Sequence, residues 1–226
     1  KALALKDSSE KYFGANIQGF NTYQYFKGNK KLRSWICIPL TMGIFDRKDE
    51  TLKALLYDKL WNKNGIFTEA GDSTFWDRAT LYAFRGIFKA GETDLAMEYF
   101  KYYSQKRLLG EHVPYAVEAY PESNQRHLSA ESGLYARVVT EGLFGIEPTG
   151  FNTFSCIPRL PQDWDYMKLK NIKAFKTTFN IEVSRRDGKT EILINNNGKK
   201  QLIDWDGESK IEVVFTININ SYNSEC

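Results

Sequence analysis

Residues 72–107 read DSTFWDRATLYAFRGIFKAGETDLAMEYFKYYSQKR. In the first half, Phe75, Leu81, Phe84, Ile87 and Phe88 recur at the spacing that draws one apolar stripe along an α-helix, with Asp72, Ser73 and Thr74 ahead of it as N-cap candidates. Ala90-Gly91-Glu92-Thr93 is a tight break. Beyond it Leu95, Tyr99, Tyr102 and Tyr103 mark a second helix, from Thr93 to about Arg107, so the stretch is a helical hairpin. The same period flanks it on both sides. Leu52, Leu55, Leu56 and Leu60 form a stripe between Asp49 and Trp61; Leu134, Tyr135, Val138 and Val139 form another between about Leu128 and Leu143, stopped by Gly145 and Pro148.

After Pro148 the period changes from 3.6 to 2. Ile211, Val213, Phe215, Ile217 and Ile219 alternate with more polar neighbours, as do Phe179, Ile181 and Val183, and again Ile192 and Ile194. Asp187-Gly188 and Asn197-Gly198 are hairpin turns between these runs. Cys156-Ile157-Pro158-Arg159-Leu160-Pro161 reads as an extended entry to them, since each proline disfavours helix at and before its own position. The chain is therefore expected to be α+β and multidomain, with a helical-hairpin portion over 1–147 and an antiparallel β-domain, a small sandwich, over 148–226. Residues 16–29 are rich in Gly, Asn and aromatics and show no period.

Composition removes several function classes. The 31 basic and 28 acidic residues are interspersed, which leaves no single-sign field for nucleic acid. No apolar run is long enough for a membrane span, and Lys1-Ala2-Leu3-Ala4-Leu5-Lys6 is too short and wrongly flanked for a signal peptide. The first residue is not Met and looks like an internal cut; a periplasmic or extracellular location is expected ahead of a cytoplasmic one. Cys37, Cys156 and Cys226 are far apart, without a CxxC or a nearby His, so no disulfide framework or zinc site is expected. No carboxylate cluster recommends calcium, and neither a metal nor a cofactor is expected. Walker, Rossmann, GxSxG and HExxH patterns are all missing from the sequence.

Two segments concentrate chemistry, and both belong to long connections of the kind that compact helical domains carry for function. Tyr115 to Arg126 brings Glu118, Tyr120, Glu122 and Arg126 together where no helix or strand period explains them, with His127 next. Inverting glycoside hydrolysis needs one carboxylate to activate water and an opposed carboxylic acid about 6.5–9.5 Å away; Glu118 or Glu122 supplies the first, and a solvated loop charge is the competing reading of either. The second segment, Glu69 to Arg78, offers Asp72, Trp76, Asp77 and Arg78 at a helix start, where an aromatic face and a guanidinium can grip sugar hydroxyls.

The order Thr74-Phe75-Trp76-Asp77-Arg78, helix, short turn, helix, Val117-Glu118-Ala119-Tyr120-Pro121-Glu122, then a Ser-containing helix ending in Gly142-Leu143-Phe144-Gly145-Ile146, resembles the last two hairpins of the six-hairpin, (α/α)₆-barrel glycosidases. The Trp-Arg pair and the Glu-x-Tyr loop are similar to those of trehalases and processing α-glucosidases. The Gly-Ile helix end, followed by Ile157-Pro158-Arg159-Leu160-Pro161, is similar to the entry to the β-domain in α-L-rhamnosidases. The resemblance covers roughly residues 34–185.

It implies Glu118 as general base with Glu122 in reserve, and Trp76, Asp77, Arg78, Asp72, Tyr120, Arg126 and His127 as the substrate-binding set. It also implies an oligosaccharide or glycoside substrate cleaved with inversion at a terminal residue. Members place the general acid in the first half of the barrel, and four or five helices with about 117 residues ahead of Glu118 do not close six hairpins. The expectation is thus a C-terminal portion whose missing N-terminal half is a further partner, weak or inactive by itself. A non-catalytic carbohydrate-binding or assembly module is the alternative, and a helical-repeat scaffold for protein partners a third possibility.

Overall fold

The computed structural model describes residues 1–109, 115, 116, 118 and 129–216. Among these the chain is α+β, with six α-helices and four small antiparallel sheets, and it divides into two compact units, Lys1–Gly142 and Leu143–Cys226.

The first unit opens with helix α1 (Ala2–Phe13) and a hairpin of β1 (Gly14–Ile17) and β2 (Phe20–Tyr23). A single 3₁₀ turn, Ser34–Ile36, runs into the short α2 (Cys37–Thr41), followed by α3 (Lys48–Leu55) and a second hairpin, β3 (Trp61–Asn62) with β4 (Gly65–Ile66). Then come α4 (Asp77–Lys89), α5 (Thr93–Tyr103) and α6 (Ser129–Arg137). Both α5 and α6 end in a π-helical turn, Ser104–Leu108 and Val138–Leu143; such wide turns are rare and concentrate near functional sites.

Helix α4 is the axis of this unit and packs against α2, α5, α6 and β4. Its stripe of Leu81, Phe84, Ile87 and Phe88 is wholly buried, and Phe84 meets Phe100, Tyr103 and Trp61 edge-to-face at 5.4, 5.7 and 5.9 Å. That arrangement suits the ring quadrupoles. On the side facing α2, Gly86 allows close approach, because a Cβ there would stand 2.8 Å from Leu40 Cβ.

Two helix limits differ from the sequence expectation. The Leu52–Leu60 stripe is not one helix: α3 stops at Leu55, the chain turns at Tyr57, and Leu60 enters the core from that turn. Residues 72–74 do not cap α4 either. Phe75 bridges Phe67, Thr68 N–H donates to Thr74 O, and Trp76 N–H donates to Ile66 O, so the backbone there is extended and helix begins only at Asp77. Asp72 instead closes its own turn, accepting from the Ser73 and Thr74 amides at 2.7 and 3.3 Å and from the Thr68 hydroxyl. These hydrogen bonds, the Thr68 one first, hold its carboxyl below the usual carboxylate range.

The second unit contains β5 (Glu147–Pro148), β6 (Thr153–Cys156), β7 (Tyr166–Ala174), β8 (Thr177–Arg186), β9 (Lys189–Asn196), β10 (Lys199–Trp205) and β11 (Ile211–Val214). Strands β7 to β10 form a four-stranded meander, and β5-β6-β11 a three-stranded sheet. Cross-strand pairs Ile181 with Ile194 and Val183 with Ile192 bury the alternating residues. The two-residue turns Asp187-Gly188 and Asn197-Gly198 carry positive φ at both positions, the hairpin geometry their residues favour. Rings from both sheets meet: Phe154 of β6 lies 5.3 Å from Phe175 and 5.4 Å from Phe179, with Phe215 joining them. At the head of this unit Gly145, at φ +60°, is irreplaceable in shape, because a Cβ would fall 2.2 Å from the Ile157 carbonyl oxygen. The expected strand positions Ile217 and Ile219, and Cys226, lie outside the described residues.

Candidate functional site

The start of α4 gathers the residues singled out around position 76. Trp76, the N-cap residue, has φ −115° and ψ 107°, the extended conformation that lets its amide pair with Ile66 while the helix starts behind it. Its ring meets Trp35 edge-to-face at 5.2 Å, and Trp35 in turn lies 6.0 Å from Tyr82, six residues further along the chain in α4. Asp77 occupies the first helical position and is fully buried, where a carboxylate complements the partial positive charge of a helix N-terminus.

Arg78 joins two distant parts of the chain. Its Nη2 stands 3.2 Å from Glu118 Oε1 and 2.7 Å from Glu131 Oε1, and its Nε donates to the same Glu131 oxygen at 2.8 Å. The nearest carboxyl oxygens of Glu118 and Glu131 therefore lie within about 6 Å of each other. The two acids differ in exposure. The Glu131 side chain is completely buried in the first turn of α6, and its second oxygen has no hydrogen-bond partner among the described residues. Glu118 is 30% exposed and Arg78 31%. A buried carboxylate without a cation would be strongly unfavourable, so Glu131 holds Arg78 in place, and Arg78 presents its remaining edge to Glu118.

The same face of α4 continues as a polar ladder. Arg85, seven residues beyond Arg78, is nine-tenths buried, sits over the Tyr82 ring at 5.2 Å, and pairs with Glu141 of the π-helical turn after α6. Glu141 also takes Arg137, whose Nη2 donates to it at 3.0 Å. Positions 78, 82 and 85 follow i, i+4, i+7 and hence share one side of the helix. Glu131, Glu141 and Arg85 were not among the residues expected from the sequence. The available signal was the occurrence of two arginines in register with the face of a helix otherwise lined by buried apolar residues, since buried guanidinium groups require carboxylates.

Arg78 and Glu118 are thus brought together; Trp76 and Asp77 adjoin Arg78 in the chain, the Trp76 ring against Trp35 and Asp77 buried. Asp72 belongs to its own turn in the approach to α4, four residues before Trp76. Tyr120, Glu122, Arg126 and His127 lie outside the described residues. Among the described residues no group of three or more His, Cys, Asp or Glu side chains is placed to hold a metal ion, and no helix is long and apolar enough to cross a membrane. The chain matches no protein-family model, and no curated protein matches it.

Proposed function

We propose that this chain is the C-terminal portion of a six-hairpin glycoside hydrolase, an (α/α)₆-barrel part followed by a small β-sandwich, acting with inversion on a terminal α-L-rhamnosyl-like or α-glucosyl-like residue. The observation that carries the proposal is the Arg78 clamp: one guanidinium, fixed by a buried glutamate, orients the partly exposed Glu118 carboxylate at the start of α4, where Trp76 stands two residues before Arg78 in the chain. A general base must be ordered, reachable by water and close to a surface that positions the sugar. Glu118 meets the first two requirements, and Trp76 with Arg78 supplies a stacking face and donors for the third.

Glu131 does not serve as the opposed acid in this mechanism. It is wholly buried, and its nearest oxygen is too close to that of Glu118 to leave the about 6.5–9.5 Å in which an inverting pair accommodates water. The acid belongs to the first half of the barrel, outside these residues, and its proton goes to the leaving-group oxygen while Glu118 takes the proton of the attacking water. Strands β7–β10 and β5-β6-β11, with phenylalanines from both sheets in contact, are what favours a sandwich for the second unit.

One observation favours a non-catalytic carbohydrate-binding module instead: Glu118 is already engaged by Arg78. Hydrolysis of aryl α- and β-glycosides by the full gene product separates the two. Glu118→Gln is expected to lower turnover by about 10²–10⁴-fold while sugar binding persists. Turnover unchanged by Glu118→Gln, or binding without turnover on any glycoside, overturns the proposal.

A further inference from the structure

The positive charge of the chain is concentrated at one end of the sequence. Residues 1–33 hold seven basic side chains and two acidic ones, whereas the remaining residues hold 24 basic and 26 acidic. The same segment opens with a helix that buries none of its 12 residues, although a surface helix ordinarily lays an apolar stripe on the core. Lys1, Leu5, Ser8 and Tyr12 follow i, i+4, i+7, i+11 from the N-cap of α1 and form one stripe turned to water.

Gln24, just past β2, fastens a second exposed segment to the end of this stripe. Its amide donates to the Phe13 carbonyl and its side-chain Nε2 to the Tyr12 carbonyl, both at 2.8 Å. Its Oε1 accepts the Gly28 amide at 2.8 Å, and the Asn29 amide donates to the Phe26 carbonyl at 2.9 Å, so residues 24–29 are a closed turn. The turn holds the Tyr25 and Phe26 rings outward, with centroids 6.2 Å apart. Leu5, Tyr12, Tyr25 and Phe26 are each more than half exposed. Lys27 and Lys30 stand on the same turn, exposed and without an ion pair among the described residues. Of the two acids in the segment, Glu10 is bonded to Arg47, and Asp7 points about 160° round the helix from Leu5.

Large apolar side chains left in water beside unpaired lysines mark an interaction surface, and the mixture selects the partner. An apolar protein face would cover the rings and leave the lysines without counter-charge. A neutral glycan would use the rings but neither the leucine nor the lysines. An anionic bilayer answers to all of them, because the interface takes up leucine and aromatic side chains while lipid anions attract the ammonium groups. Lysine stems then reach from one region to the other.

We infer that the outward stripe of α1 and the 24–30 turn form a docking surface for an anionic lipid bilayer, which the protein touches without spanning. Leu5, Tyr12, Tyr25 and Phe26 enter the headgroup region, and Lys27 and Lys30 pair with lipid anions. The surface is independent of the glycosidase proposal, since it uses neither Arg78 nor Glu118.

Co-sedimentation of the 226-residue chain with phosphatidylcholine vesicles, with and without phosphatidylserine, tests the inference, alongside binding to a single-stranded oligothymidylate. Saturable binding is expected only to the vesicles that contain phosphatidylserine, weakening as salt is raised. Lys27→Ala/Lys30→Ala removes two charges from the membrane surface and is expected to weaken binding about 30-fold. Tyr25→Ser/Phe26→Ser keeps every charge and is expected to weaken it about tenfold or more, through the lost apolar contact. All four positions are exposed, and circular dichroism establishes that both variants are folded. No binding to the phosphatidylserine vesicles, equal binding to phosphatidylcholine alone, tighter binding of the oligonucleotide, or folded variants that bind as the parent does would each overturn it.

Discussion

Replacing Arg78 with Ala removes the only cation bonded to Glu131 among the described residues, and that carboxylate is completely buried. Breaking a buried ion pair from one side costs about 3–5 kcal/mol, because the partner charge is stranded. Arg78 is itself 31% exposed, so water entering the vacated space recovers part of the loss, which places the effect near the lower figure. The half-exposed contact to Glu118 adds at most about 1 kcal/mol. A destabilisation of about 3 kcal/mol and a urea slope of about 2 kcal/mol/M together lower the midpoint by roughly 1.5 M. Urea unfolding followed by far-ultraviolet circular dichroism, dominated by the helical unit, is the assay. The decisive comparison is the double variant Arg78→Leu/Glu131→Met, which removes both charges at similar volume and is expected to regain most of the loss. A midpoint shift below about 0.5 M for Arg78→Ala, or a double variant no more stable than the single one, would show that Glu131 does not depend on Arg78.

Gly86→Ala should destabilise the first unit by about 1–3 kcal/mol despite the gain of about 1 kcal/mol in helix propensity, since the new Cβ meets Leu40 Cβ at 2.8 Å and α2 must move; thermal unfolding reads the sign. Asp206 accepts from the Ser209 hydroxyl and from the Ser209 and Glu208 amides, which hold its pKa down to about 2 from 3.8. A depressed acid stabilises above its unfolded pKa and loses that contribution as pH falls through its folded one, so the turn before β11 should loosen between about pH 4 and pH 2. Carboxyl NMR should show this midpoint moving upward in Ser209→Ala. Burial pushes both the Cys37 and Cys156 thiols up to about 12, and neither should be alkylated in the folded chain at about pH 8; peptide mapping after labelling with and without denaturant checks this, and labelling of either in the folded state would contradict their burial.

Where side-chain period and turn chemistry agree, the sequence was readable. The alternation of Phe179, Ile181 and Val183 and the Asp-Gly and Asn-Gly turns correspond to β8, β9 and their connections, and the Phe75–Phe88 stripe to most of α4. The β1–β2 hairpin escaped notice because its strands are four residues each and its turn is Gln18-Gly19, with Gln18 at φ 53° in a position that Asn or Asp usually advertises. The β7–β8 turn gave no local signal at all. Phe175 and Lys176 both have positive φ there without a Gly, Asn or Asp, and the Phe175 ring is held against Phe154, Phe179 and Phe215. Strand β7 hides its period for a related reason: a bulge between Leu169 and Ile172 shifts the alternation by one residue.

Helix and strand periods are properties of neighbouring residues, and so most of α4 and α5 and the strands β8 and β9 were legible in the sequence by itself, whereas the β1–β2 and β3–β4 hairpins of the first unit were not. The sequence also nominated Glu118, Trp76 and Arg78 from residue type and loop context. The pairing of Arg78 with Glu131, 53 residues away, is a different matter. Nothing in the local pattern distinguishes a helical glutamate that meets water from one that is fully buried; only the packing of α6 on α4 removes the solvent from Glu131 and makes a cation on the facing helix necessary.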